Sequence, residues 1–314
     1  MTTWLILIRA VHFGACLLFF GIFAFDRFVA APVLAQAEIN VANFWKSRLR
    51  MFTAILLPII LLSGIVWFML VASSMGGLPF RQIMQSDILE AVWNQTQFGA
   101  LCKWRLTLWL AGAIAAGLVL FRSSPLQKSP VWVPGSFAGL LLGSLAWAGH
   151  GQEDSSLHLL ADVLHLLVAG LWPTGLLPLA MLLGKLRGTP GVTDWVSLGA
   201  LVRRFSALSL MSVAMLTMTG FVNGWYLVGS VENLFRETYG RWLLVKVILF
   251  IFAIAIGAMN LLRLKPRLMA DDAPAQSAEA TATQLQLNVQ AELILGTAII
   301  LVVAVLGTLP PANR

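Results

Sequence analysis

The sequence predicts an all-α, polytopic membrane bundle of about eight transmembrane helices, and three observations predict it. Of its 314 residues, 59% are hydrophobic and 11% charged, against about 25% charged in an ordinary soluble domain. Apolar runs of the roughly 20 residues needed to cross hydrocarbon about 30 Å thick follow one another with short connections. The basic residues gather in alternate connections rather than in one patch. The bilayer is therefore the solvent for most of the chain, and the formal charge of +7 reads as membrane topology, not nucleic-acid binding.

The runs fall at 4–31, 51–73, 98–121, 132–149, 157–183, 206–230, 240–262 and 291–310. The first ends near Ala35, Gln36 and Ala37, which loosely resemble a signal-processing site, but the run is long and Asp26 and Arg27 interrupt it. A retained first helix is expected. The connection 263–290 is polar and Ala-rich, without core-forming residues, which predicts a mobile loop. Trp4, Trp132, Trp195 and Trp242 fall near predicted helix ends, where the amphipathic indole anchors at the headgroups. Pro58, Pro173 and Pro178 predict kinks or broken segments. The two cysteines, Cys16 and Cys102, lie in apolar runs and imply no disulfide framework.

Connections 26–50, 122–131, 184–205 and 263–290 hold thirteen Lys and Arg residues, and the opposite side holds four: Arg81, Arg236, Arg241 and Arg314. The positive-inside rule then places both termini outside. On that outer side lie Asp87, Glu90, Glu153, Asp154, Glu232 and Glu237, which offer carboxylates to an arriving cation.

An internal repeat divides the chain into 1–149 and 150–314. The order His12, Ser63-Gly64, Thr96 to Gly99 and Arg105 recurs as His165, Thr219-Gly220, Thr238 to Gly240 and Lys246. An even number of spans per half makes this a parallel repeat of two four-helix units, with a site expected at their interface. It pairs His12 with His165 at equal depth.

All four histidines, His12, His150, His158 and His165, belong to the outward halves of spans or their margins. Asp154, His158, Asp162 and His165 are spaced four, four and three apart, a polar stripe on one helical face entering the membrane. Intramembrane ionisable groups are costly and by default line a pathway. Imidazole suits copper, zinc, iron and nickel, and softer thioether or thiolate selects Cu(I). Met211, Met215 and Met218 share one face of the sixth span, and Cys16 lies one turn beyond His12. The candidate metal ligands are thus His12, His150, Asp154, His158, Asp162, His165, Met215 and Met218, and their order suggests a copper route whose donors soften with depth, favouring Cu(I) in the deeper part. Arg9, Lys103, Arg105 and Lys246 read as snorkelling anchors near outward helix ends, and Asn223 and Asn260 as interhelical hydrogen bonders. A haem held between His12 and His165 is the competing reading. The chain has no Gly-x-x-x-x-Gly-Lys phosphate loop, His-Glu-x-x-His helix or Gly-x-Ser-x-Gly elbow, so no enzyme activity is expected.

The stretch from Trp147 and His150 through His158 and His165 to Trp172, Gly175 and Pro178, followed by Arg204-Phe205-Ser206, Thr219-Gly220, Thr238 to Arg241, Lys246 and Asn260, resembles the bacterial copper-resistance D family of inner-membrane proteins. The likeness covers nearly the whole chain. It implies copper transport across the inner membrane, as uptake from the periplasm, with a separate periplasmic copper carrier of the copper-resistance C type as partner. His150, His158 and His165 are the matching histidines. One departure is Pro173-Thr174-Gly175, where the family pattern has a glycine-rich turn.

Overall fold

A computed structural model describes residues 2–84, 87–121, 131–149, 155–187, 194–269 and 275–313. Every regular element among them is helical. The principal helices, apart from single turns, are in order α1 (Thr2–Phe25), α2 (Ile39–Gly76), the short α3 (Ile88–Gln95), α4 (Gln97–Leu120), α5 (Trp132–Gly143), α6 (Ser156–Ala169), α7 (Leu176–Arg187), α8 (Trp195–Val228), the short α9 (Val231–Arg236), α10 (Thr238–Met259) and α11 (Ala275–Leu306). Among the described residues six continuous segments are long and apolar enough to span a membrane, and two shorter apolar ones, Trp132–Ala148 and Ser156–Ala169, accompany them. This is the expected polytopic bundle.

Helix is the only structure open to most of this chain, because in hydrocarbon each backbone N–H and C=O must be satisfied within its own segment. Where the ladder breaks, side chains repair it. Between α6 and α7 the chain turns over Gly170–Gly175, at the position that Pro173 marks, and the Thr174 hydroxyl donates to the Gly170 carbonyl at 2.6 Å. That break packs tightly on α1, since a Cβ at Gly21 would lie 2.7 Å from the same carbonyl oxygen. Two π-helical turns, Asp26–Ala30 after α1 and Asn260–Leu264 after α10, widen the ladder at one end of the bundle. Asp26, buried in the first, accepts a 2.7 Å hydrogen bond from the Trp45 indole.

Both described termini lie at the other end. Gly307 backs onto the Arg9 guanidinium, and the Ala312 N–H donates to the Leu227 carbonyl at the end of α8. Trp4 and Trp132 are exposed, as interfacial anchors should be.

The region 263–290 corrects the expectation of a long polar loop. Residues 265–268 are helical and α11 begins at Ala275, while 270–274 lie outside the described residues. Alanine is the strongest helix former, and Ala278, Ala282, Leu285 and Val289, spaced four, three and four, bury one face of this extension. Arg187 at the end of α7 clamps it through Gln286 (2.8 Å) and Thr283 (2.7 Å).

Candidate functional site: two histidine clusters

His12 sits on α1 and is buried. Its Nδ1 lies 2.9 Å from Ser63 Oγ on α2, and that hydroxyl donates to the Ile59 carbonyl at 2.6 Å. Its Nε2 lies 2.7 Å from Arg105 Nη2 on α4. A guanidinium only donates, so the network assigns the ring proton to Nδ1 and makes Nε2 an acceptor. Arg105 also donates to the Leu141 carbonyl (2.7 Å) and Ser144 Oγ (2.6 Å), and Cys16 Sγ is 3.7 Å from its Nη2. The Trp67 ring closes the site at 5.3 Å from the imidazole, with the Arg9 guanidinium 5.4 Å from the same indole.

His165 on α6 repeats this arrangement. Its Nδ1 lies 2.9 Å from Thr219 Oγ1 on α8, which donates to the Met215 carbonyl at 2.7 Å. Its Nε2 lies 3.4 Å from Lys246 Nζ on α10. The glycines take part as well: a Cβ at Gly64 would come within 3.2 Å of His12 Cε1, and one at Gly220 within 3.4 Å of His165 Cε1. Behind each cation its helix begins against a short one. A Cβ at Gly99 would lie 2.5 Å from the Trp93 carbonyl oxygen, and one at Gly240 2.6 Å from Leu234 Cα, so only glycine permits these crossings.

The clusters differ in charge. Three residues before His12 stands Arg9; three before His165 stands Asp162, which accepts from Asn223 Nδ2 at 3.2 Å and is close enough to Lys246 for their charges to interact. The position of Trp67, four after Ser63, is held in the second half by Asn223, four after Thr219. One turn outward, His158 is buried and stacks on Tyr226 with ring centres 4.8 Å apart. The first cluster thus combines two guanidiniums with no carboxylate, which repels a cation. The second pairs one ammonium with one carboxylate and adds a second imidazole.

His158, Asp162 and His165 share a face of α6, and the ladder spans about 10 Å of helix. Among the described residues no three His, Cys, Asp or Glu side chains converge as a preassembled metal site. His150 and Asp154 lie outside the described residues. Met218 and Met211 are 70% and 65% exposed and Met215 36%, so these thioethers face outward from α8, and the structure does not bring them to the histidines. Cys16 belongs to the Arg105 cluster. The expected softening of donors with depth is therefore not what the fold assembles.

Arg105 and Lys246, read as snorkelling anchors, turn inward onto the histidines; the repeat carried that signal, because both follow a glycine by six positions. Both ring nitrogens of His12 and of His165 lie within hydrogen-bonding distance of protein groups, so a ligand to either Nε2 has to displace Arg105 or Lys246.

Comparison with known proteins decides the family. The family described as copper resistance protein D-like, N-terminal domain, matches residues 1–160, more than half of the 314-residue chain. The chain belongs to that family. A second family description, copper resistance protein D, matches residues 199–306. Copper transport protein CutJ of Bacillus subtilis (strain 168) is 33% identical over 177 residues, 55% of this chain and 29% of that protein's length. Copper resistance protein D of Pseudomonas syringae pv. tomato is 28% identical over 80% of each chain, and inner membrane protein YebZ of Escherichia coli (strain K12) is 27% identical over 98% of each. No solved structure is significantly similar. With its apolar spans and end-to-end likeness to an inner-membrane protein, this member of the copper-resistance family is a multi-pass inner-membrane protein.

Proposed function

We propose that the chain is a permease that takes up copper ions from the outer face of the inner membrane, with the second cluster as the intramembrane station. The observation that carries this reading is the stripe of His158, Asp162 and His165 on α6, faced by Asn223 and Tyr226 of α8 and complemented by a single ammonium. Only this half places a carboxylate beside its deep histidine. The family supports copper as the cargo.

Lys246 neutralises Asp162 and holds the Nε2 lone pair of His165, so it stands where a cationic cargo would stand. An arriving copper ion takes over both partners and displaces the ammonium. His150 and Asp154 are proposed to receive the ion before His158, on the strength of their sequence positions alone. His12 is assigned to the first, structural cluster rather than to the path, and Met215 and Met218 are left out of it. Imidazole suits copper, whereas the thioether and thiolate donors that select Cu(I) are not brought to this station, so the proposed cargo is copper without preference for Cu(I) at depth. The end of the bundle that carries the termini is the outward one by its loop charges, and it is where a periplasmic carrier of the copper-resistance C type would deliver copper. The reading includes no bond-making step and hence no enzyme activity.

Uptake of radioactive copper by cells producing equal amounts of protein tests it. His158→Ala and His165→Ala are each expected to abolish the uptake that the wild type adds over empty cells. Wild-type uptake in a well-expressed double variant would end the proposal.

A further inference from the structure

At the end of the bundle away from the histidines, a carboxylate lies within the span 291–310. Glu292 on α11 is 3% exposed. Asn260, the first residue of the π-helical turn after α10, donates from Nδ2 to Glu292 Oε1 at 2.7 Å. Asn288 Nδ2 donates to Asn260 Oδ1 at 2.6 Å, and Gln284 Nε2 donates to Asn288 Oδ1 at 2.9 Å. The three amides form a chain in which each donates one N–H to the next group toward Glu292, leading from the exposed Gln284 to the buried carboxyl group. Asn260 lies fourteen residues beyond Lys246, about 21 Å along the helix axis, so this cluster is separate from the histidine stations.

Two opposing terms act on Glu292. The aligned amides, strengthened by mutual polarisation in low dielectric, favour its ionised form. An unpaired charge in an apolar interior is costly, and that favours the neutral acid. Among the described residues no charged partner of Glu292 offsets this cost. Glu292 lines a cavity of about 140 Å³ between the α6–α7 break, α7, α8, α10 and α11, and it is the one titratable group among the lining residues; Ser206, Ser209, Asn260 and the Trp172 indole supply the other polar groups. Of the cations at this end, Arg187 is bonded to Gln286 and Thr283, and Arg263 is exposed. Gly257 also lines the cavity and leaves room for Glu292 Oε2, which a Cβ there would approach to 3.5 Å. The π-helical turn that presents Asn260 is a local departure from α-helix of the kind often retained at functional sites.

We propose that Glu292, with Asn260 and Asn288, is a proton-binding site that loads and unloads through this cavity. The carboxyl oxygen takes one proton from water and returns it to water, and no other bond changes. Unloading tightens the Asn260 link between α10 and α11 by restoring a charged acceptor, and loading relaxes it. The site is independent of the cargo assigned above.

Infrared difference spectra of the purified wild type against Glu292→Gln, taken without copper across a pH series, test the proposal. The expected result is a carboxylic-acid carbonyl band at acid pH that disappears at alkaline pH while carboxylate bands grow, all absent from the variant. A hydrophobic carbodiimide, which reacts with buried protonated carboxyl groups, should modify Glu292 at acid pH and progressively less at alkaline pH, as read by peptide mass spectrometry. A band that persists at every pH would make Glu292 a neutral structural hydrogen bonder. Carboxylate bands at every pH would mean a resident cation. Either result overturns the proposal.

Discussion

Lys246 Nζ lies 3.4 Å from His165 Nε2, in the same relation that Arg105 Nη2 holds at 2.7 Å to His12 Nε2. In each half a histidine is therefore held between a hydroxyl on one helix and a cation on another. The shorter, multiply bonded arginine contact is the locked version, and the longer lysine contact, with Asp162 beside it, is the one that can open. Lysine is a flexible point charge, whereas the guanidinium of Arg105 is fixed by two further acceptors.

Lys246→Met removes the competing ammonium while keeping the length of the side chain. Copper affinity of the purified protein is expected to rise at least about tenfold, equivalent to about 1.4 kcal/mol, while transport slows because the ion is released less readily. Titration against a chromophoric copper chelator reads the affinity.

Arg105→Leu strips the Leu141 carbonyl, Ser144 and His12 of their shared donor. Ser144 Oγ still donates to the Leu141 carbonyl, so His12 Nε2 is the buried acceptor that loses its strong donor, at a cost of about 1–3 kcal/mol, and the melting temperature in detergent should fall by a few degrees. Copper uptake per folded molecule should stay at the wild-type level, because this cluster is assigned to holding the bundle together.

Met218→Leu preserves volume at a position that is 70% exposed. Uptake equal to that of the wild type is expected. A severe loss would return the thioether to the path and require α8 to rotate.

Gly240→Ala and Gly99→Ala drive a Cβ into the backbone of the preceding short helix. Both variants should fail to accumulate as monodisperse protein in fluorescence size-exclusion chromatography. Gly117→Ala has nothing within 4 Å of the added atom and should be tolerated, with a gain of about 0.5–1 kcal/mol from helix propensity.

Much of this was legible in the sequence because hydrocarbon permits so few structures. The apolar runs gave the spans, Pro173 marked the broken segment, and the spacing of His158, Asp162 and His165 gave the stripe. Asn223 and Asn260 are interhelical hydrogen bonders, as their place in apolar runs implied, through Asp162 and Glu292. The repeat motif named both clusters but not their difference in charge, which depends on which residue of each face meets Arg9 or Asp162. Helical spacing placed Met211, Met215 and Met218 on one face of α8 but could not say that this face turns outward. The part of the 263–290 region from Ala275 onward misled because polar composition was read as a mobile loop, although its alanines form helix and its buried positions recur at helical spacing. Glu292 escaped notice because a single carboxylate in an apolar run has no periodic signature; only the approach of Asn260 from another helix makes it part of a cluster.

The most direct measurement is the metal content and optical spectrum of the protein purified under reducing conditions, compared with a His158→Ala, His165→Ala double variant of equal monodispersity. Copper bound to the wild type and lost from the variant is the expected result. Copper retained in full by the variant, or iron accompanied by a Soret band in the wild type, would contradict the assignment of the second histidine cluster as the copper station.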